Sequence, residues 1–415
     1  MLKHIINTFF TRSFVAVILL LNLVITSRYL GSAVLGEVSL LILNIAIIHT
    51  IAEIYSGSAL VHFIPTSSLK KIYRTGLVWI ITCTALINFI FYLFQIGVSD
   101  YWPHVFVISF ISILHAFHNV ILLAREKIRT YNFLILFQPA SLLAFLCLNI
   151  FVLEMDTVYA SIIAMYLSYA ISVLISGFNV IQTVDRCVNT EQFRLKDIFA
   201  NGLINQLGNL AHILSNRYNY YIISGIGVAL VGVYASATSL IESVWIISAS
   251  VSPIILTHIA NQKDVANNSR VTFLLSKLCF MLSALLVLII YFVPNSFFTS
   301  LLGKDFSEAK HIMLYLSPGV LCISFSSIIS HYFSGLGKQK VLLLANSAGL
   351  AVTLSTSYFF ISAYGLTGAC FTASLAYVVQ ATVLTVTFMS ENKLSFSSLF
   401  KFREDLFLLR HKNPS

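Results

Sequence analysis

The stretch "LGSAVLGEVSLL", Leu30–Leu41, returns later as "IGVALVGVYASA", Ile226–Ala237. Gly31 and Gly36 of the first match Gly227 and Gly232 of the second at one common offset of 196 residues. Both copies follow an apolar segment and open another. A second echo links "LLAREKIRTYN" (Leu122–Asn132) to "SGLGKQKVLLLAN" (Ser334–Asn346), two basic turns placed alike in the two halves. Self-similarity at a long fixed offset marks an internal repeat.

What repeats is set by composition. Of 415 residues, 58% are hydrophobic and only 10% charged, against about 25% charged in a soluble domain. A span needs about 20 mostly apolar residues. On that rule twelve are expected, near 6–28, 37–64, 75–97, 102–124, 130–153, 157–181, 198–224, 229–260, 272–293, 311–335, 340–361 and 366–389. The second, seventh and eighth are long and spotted with polar residues, which predicts irregular geometry in each. Pro139, Pro253 and Pro318 lie inside spans. The fold class read from this is an all-α polytopic membrane protein, twelve helices in two six-helix lobes related by a parallel repeat. The expected organisation is an N-terminal lobe at 1–181, a linker at 182–197, a C-terminal lobe at 198–390 and a basic tail at 391–415. Six spans per half is an even number, so both halves enter from one side and the repeat axis lies along the membrane normal.

Lysine and arginine orient the chain. With the N-terminus inside, 21 of the 25 fall on the inner side and Arg28, Lys304 and Lys310 on the outer; Arg217, deep in the seventh span, is the remaining one. Both termini are therefore expected in the cytoplasm. The net charge of +9 becomes a topology signal and gives no reason to expect a nucleic-acid partner. The N-terminal apolar run is too long for a cleaved leader and reads as a retained first span. The six cysteines form no CxxC, and neither a disulfide nor a bound metal is expected. There is no phosphate-binding GxxxxGK[ST], no HExxH and no GxSxG. The chain reads as not an enzyme and as carrying no cofactor. The short expected outer loops argue against a membrane-embedded polysaccharide polymerase.

The polar residues of the seventh span are patterned. Asn201, Asn205, Asn209, His212, Asn216 and Asn219 are spaced 4, 4, 3, 4 and 3 apart, so they share one helical face. Such a face meets either a wet cavity and its substrate or a hydrogen-bonding neighbour helix. Arg217 stands about 100° round from Asn216. A charge in a span costs about 2.5–3.5 kcal/mol. Three roles account for it: lining a cavity, pairing with Glu242 of the next span, or snorkelling outward. Glu53 follows His49 at i+4 in the second span and is a candidate for coupling to a proton or sodium ion. His115 and His118 are a helical pair lacking a third ligand and are read as ordinary hydrogen bonders.

The opening "SRYLGSAVLGEVSLLILNIAIIHTIAEIYSGSALVHFIP" (Ser27–Pro65) resembles the start of the polysaccharide-unit flippases. These are the O-antigen, Wzx-like branch of the multidrug/oligosaccharidyl-lipid/polysaccharide exporters. "LSNRYNYYIISGIGVALVGVYASATSLIESV" (Leu214–Val244), "SPIILTHIAN" (Ser252–Asn261), "SGLGKQKVLLLANSAGL" (Ser334–Leu350) and "AYGLTGACFTASLAYVV" (Ala363–Val379) extend the resemblance over nearly the whole chain. The resemblance implies a two-lobed exporter of the bacterial cytoplasmic (inner) membrane. Its substrate would be an undecaprenyl-diphosphate-linked oligosaccharide, as in O-antigen and lipopolysaccharide biosynthesis, moved to the outer leaflet by alternating access. It implies a cationic cavity between the lobes, and Arg217 falls on the family's arginine position. Arg28 near the outer mouth and Arg12 near the inner one would join it in attracting the diphosphate, with Asn205, Asn209, His212, Asn216 and Asn219 contacting sugar or water. Where members often carry an aspartate and then a base, this chain has Asn219 and Tyr220. An acid-coupled mechanism would fall to Glu53 or Glu242. Membrane lipids, a coupling ion, a polysaccharide polymerase and chain-length machinery are the implied partners. The alternative reading is a drug/cation antiporter of the same superfamily.

Overall fold

The computed structural model describes residues 2–57, 60–64, 68–97, 99–184, 195–261 and 265–394. Most of the expected linker and of the basic tail, with Arg186, Arg194, Lys401, Arg403, Arg410 and Lys412, lies outside these residues, as do Cys187 and Lys263. Every regular element among the described residues is helical. Helix α1 (Leu2–Ile25) passes through a π-helical turn at Thr26–Leu30 into α2 (Gly31–Ser56). The short α3 (Leu60–Phe63), then α4 (Leu69–Leu93), α5 (Trp102–Ala124), α6 (Ile128–Phe151) and α7 (Val158–Val184) follow. Next come α8 (Leu195–Arg217), α9 (Asn219–Ser224), α10 (Val228–Glu242), α11 (Ile246–Asn261), α12 (Val265–Phe292), α13 (Asn295–Leu302), α14 (Ala309–Gly335) and α15 (Gln339–Glu391). Nine stretches of described helix are long and apolar enough to cross a membrane, and the chain is a multi-pass membrane protein.

Each of the three polar-spotted spans is broken. The second ends at Ser56, before Gly57; the seventh breaks at Tyr218 between α8 and α9; the eighth breaks at a 3-10 turn, Ser243–Trp245. The indole N–H of Trp245 donates to the Val320 carbonyl oxygen (3.0 Å) and pins that turn. The sequence places a loop between the first two spans. The chain instead stays helical and changes course only at Gly31, whose φ of 82° belongs to glycine. Pro139 and Pro318 sit inside α6 and α14. Helix α15 is a hairpin: Gly365 (φ 57°) interrupts it, and Thr356 Oγ1 donates to Thr372 Oγ1 at 3.4 Å. In a straight helix those residues would stand about 24 Å apart.

The chain divides into two compact units. The first comprises Met1–Ile213 with Ser224–Ser236 and Thr299–Phe306. In it α5 packs on α7, α2 and α4, and α6 on α1 and α7. Ile48, Ile72, Phe117 and Leu122 form its fully buried centre. In the second unit (Leu214–Ile223, Ala237–Phe298, Ser307–Ser415) α14 packs on α12, α11 and α15 around Phe333 and Phe388.

The repeated glycines meet inside the first unit. A Cβ on Gly36 would lie 2.0 Å from the carbonyl oxygen of Val228, and one on Gly232 would lie 2.0 Å from that of Ser32. Ser32 and Val228 are themselves counterparts at the 196-residue offset. The crossing of α2 with α10 is therefore reciprocal, each copy placing its glycine on the other's backbone, as small residues allow in membranes. The second echo is structural too. Lys127 N–H donates to Leu122 O (2.9 Å) and Glu126 N–H to Leu123 O (3.0 Å); Lys338 N–H donates to Phe333 O (2.9 Å) and Gly337 N–H to Ser334 O (3.0 Å). Both are Schellman ends, with Glu126 (φ 56°) and Gly337 (φ 71°) in the left-handed position.

Gly36→Ala or Gly232→Ala should each destabilise the protein by about 1–3 kcal/mol, because the added methyl meets backbone that cannot turn aside. Gly227→Ala, whose Cβ would meet only the Leu230 side chain at 3.8 Å, should stay within about 0.5 kcal/mol of wild type. Thermal unfolding in detergent checks the contrast; equal melting temperatures for all three would contradict the crossing.

Candidate functional site

Arg217 is the last residue of α8, where a base suits the negative end of the helix dipole. The break at Tyr218 ends the helix there. Glu242 is the last residue of α10, just before the 3-10 turn. The two side chains form a bidentate pair within the second unit. Arg217 Nη1 donates to Glu242 Oε1 at 3.0 Å, and Nη2 donates to Oε2 in a shorter contact. The side chains are 25% and 11% exposed, so the pair is largely removed from solvent. Tyr377, fully buried on the second arm of α15, donates its hydroxyl to Glu242 Oε1 at 2.9 Å. The Arg217 guanidinium also lies 5.5 Å from the ring centroid of Tyr220, a cation–π contact. Trp245 meets Tyr377 edge-on at 5.7 Å. Of the three roles open to Arg217, the structure shows the pairing with Glu242. A planar fork matched to a carboxylate is the strongest neutralised form available to a buried base.

The asparagine face divides. Asn219 is fully buried, its amide donating to the Ala369 carbonyl oxygen (3.1 Å) and accepting from Ser357 Oγ (2.7 Å). It ties α9 to both arms of the α15 hairpin. Asn216 is 6% exposed, while His212 and Asn205 are half-buried. Asn209 is exposed and donates to Gln206 Oε1 at 2.9 Å. Glu53 lies 3.8 Å from His49 Nδ1, one turn away on α2. Arg12 is exposed on α1. Arg28 is exposed in the π turn, and its Nη1 donates to the Ser300 carbonyl oxygen at 2.6 Å. Close by, Ser32 donates through Oγ (3.0 Å) and N–H (3.3 Å) to Asp305 Oδ2.

The histidine pair is hydrogen-bonded. His118 contacts Ser176 Oγ (2.9 Å) and Tyr73 Oη (3.0 Å), and His115 contacts the Asn119 amide (3.0 Å). Two groups escape a reading of the sequence. Tyr377 sits in the small-residue run "TASLAYVV" and reads there as a packing position. Lys277, counted above with the inner-side charges, is 6% exposed, with its ammonium 4.7 Å from the Phe273 ring centroid. Its only sequence signal is its place twelve residues into the apolar α12.

No family model matches the sequence. A "putative O-antigen transporter" of Shigella flexneri is 26% identical over 243 residues, which is 57% of this chain and 57% of the relative. The chain thus matches a little over half the length of that curated relative. Among solved structures, an inward-facing multidrug resistance MATE family transporter of the MOP superfamily superposes with a TM-score of 0.74 at 18% identity. That match covers 93% of this chain and 96% of the other. The lipid II flippase MurJ, in an inward closed conformation, gives 0.69 at 14% identity over 100% and 94%. The chain therefore has the fold shared by MATE transporters and this flippase, as its sequence resemblance implies. These three similar proteins are named as transporters or as a flippase.

A double-mutant cycle tests the pair. Arg217→Gln and Glu242→Gln should each cost about 1–3 kcal/mol by leaving the other group without its fork. The double variant should be more stable than the sum of the two predicts, by about 1 kcal/mol or more. Additive losses in thermal or denaturant unfolding would mean the pair contributes nothing to folding.

Proposed function

We propose that the chain is a flippase for an undecaprenyl-diphosphate-linked oligosaccharide repeat unit of the O-antigen kind. It would carry the unit from the inner to the outer leaflet of the bacterial cytoplasmic membrane by alternating access. The observation that carries this reading is the match to an O-antigen transporter, in a chain whose fold is shared with a lipid II flippase. The chemistry agrees. A diphosphate needs a cation that stays charged away from water, and Arg217 offers one with a planar donor edge. On this reading Arg217, Arg28 and Arg12 attract the diphosphate in turn. Asn205, Asn209, His212 and Asn216 face sugar or water, and Asn219 ties α9 to the α15 hairpin. Glu53, beside His49, and Glu242 are the acids available to a coupling proton or sodium ion.

The topology that goes with this reading has twelve crossings, two six-helix lobes and both termini in the cytoplasm. Two described stretches, Phe10–Ser56 with 47 residues and Gln339–Glu391 with 53, are each about twice the length of one span. Helix α8 is long enough to cross but too polar to register as an apolar span. These features, with the one-sided Lys and Arg distribution, support the count. The second reading, a drug/cation antiporter, is favoured by the MATE likeness.

Deleting the gene in its own host decides between them. The flippase reading expects loss of surface polysaccharide and build-up of the lipid-linked unit on the inner leaflet. Restoration should follow from the wild-type gene, with Arg217→Ala restoring at least about tenfold less, equivalent to roughly 1.4 kcal/mol. Unchanged surface polysaccharide with lowered drug tolerance would overturn the reading in favour of the antiporter.

A further inference from the structure

The basic end of the first unit carries charges that the proposed transport does not use. Tyr73 of α4 meets His118 of α5 and Gly76 meets Phe117, so the two helices run antiparallel. That brings Lys70, Lys71 and Arg74, at the start of α4, to the same end as Arg125, Lys127 and Arg129 after α5. Glu126 is the one carboxylate within these two sequence segments. A basic end is ordinary for membrane proteins and by itself signals topology.

Arg125 is different. Its Nε and Nη2 are both buried, and neither has a hydrogen-bond partner among the described residues. On a guanidinium those two N–H groups share one edge and point the same way. This is the edge that grips two oxygens of a phosphate or carboxylate at once. A buried donor left unmade is costly, and a charged one more so. The turn itself does not need the base. Its counterpart at Ser334–Lys338 makes the same two hydrogen bonds at the same distances with Leu336 in the position of Arg125. A role in ending the helix therefore does not account for Arg125. Lys127 is committed, its Nζ donating to the Asn179 carbonyl oxygen at 3.3 Å, whereas Lys70, Lys71, Arg74 and Arg129 are exposed around it.

We propose that this end of the unit is a binding site for a lipid phosphate headgroup, gripped by the Nε–H and Nη2–H edge of Arg125 within the field of the neighbouring bases. A phosphate fits better than a protein carboxylate, because each base added to a membrane-surface cluster draws anionic headgroups. The same chemistry has two sources, bulk anionic phospholipid and a polyprenyl diphosphate, and the site stands on either.

The test is native mass spectrometry of the purified full chain in detergent, titrated with phosphatidylglycerol, diacylglycerol or undecaprenyl diphosphate. Wild type should retain phosphatidylglycerol or the diphosphate and not diacylglycerol. R125Q should weaken retention by roughly ten- to a hundredfold, as expected for loss of charge-assisted hydrogen bonds. R125K keeps the charge without the paired edge and should fall between the two, which also serves if R125Q does not fold. K127Q should stay within about threefold of wild type, since the Lys127 ammonium is already committed to the Asn179 carbonyl oxygen. Preference for the diphosphate assigns the site to a transported lipid; comparable retention of both assigns it to bulk headgroups. Retention by R125Q or R125K equal to wild type, or by wild type of neither phosphate lipid, overturns the proposal.

Discussion

In hydrocarbon no water is at hand to satisfy a polar group, so every amide, hydroxyl and charge must find its partner within the protein. The described elements follow from this constraint. Helices close on their own backbone, and where they stop, as after α4, α5, α14 and α15, a left-handed residue folds the chain back onto its last carbonyls. Serine and threonine donate to the preceding turn, as Ser39 does to Leu35 and Thr50 to Ala46. With no hydrophobic force between helices in lipid, close backbone approach takes over, and glycine permits it at the α2–α10 crossing. Arg217 is the severest case, and three groups answer it: a carboxylate fork, a tyrosine hydroxyl that shares one oxygen of that carboxylate, and an aromatic face.

What the sequence exposes is what this constraint writes in periodic or repeated form. Apolar length gives the spans. Polar spotting foretells the breaks near Gly57, Tyr218 and Ser243, because a helix that carries many hydroxyls and amides has other partners for its backbone. The offset linking Gly36 to Gly232 is readable, and the structure turns it from a pattern into a contact. What stays hidden is tertiary choice. Tyr377 lies 135 residues from Glu242, and nothing in its neighbours distinguishes it from a packing residue. Asn219 follows the spacing of the polar face, yet the hairpin at Gly365 brings Ala369 and Ser357 to it and encloses it. Arg125 looks like any inner-side charge until the burial of one edge of its guanidinium is seen.

The pairing of Arg217 bears on the transport reading without opposing it. An arginine that met hydrocarbon unpaired between transport cycles would carry the full desolvation cost each time. With Glu242 it has a resting partner. The carboxylate, in turn, would keep only the Tyr377 hydroxyl if the guanidinium turned elsewhere. On the flippase reading a diphosphate, with more negative charge and more oxygens than one carboxylate, would compete for the fork. The pair would then set how tightly a headgroup must bind before it displaces Glu242. A neutral or cationic cargo has no such claim on the arginine, and would meet the site through the carboxylate instead. The same two residues therefore give opposite predictions for the two readings. Loss of Glu242 should free the base and favour an anionic cargo, and loss of Arg217 should free the acid and favour a cationic one.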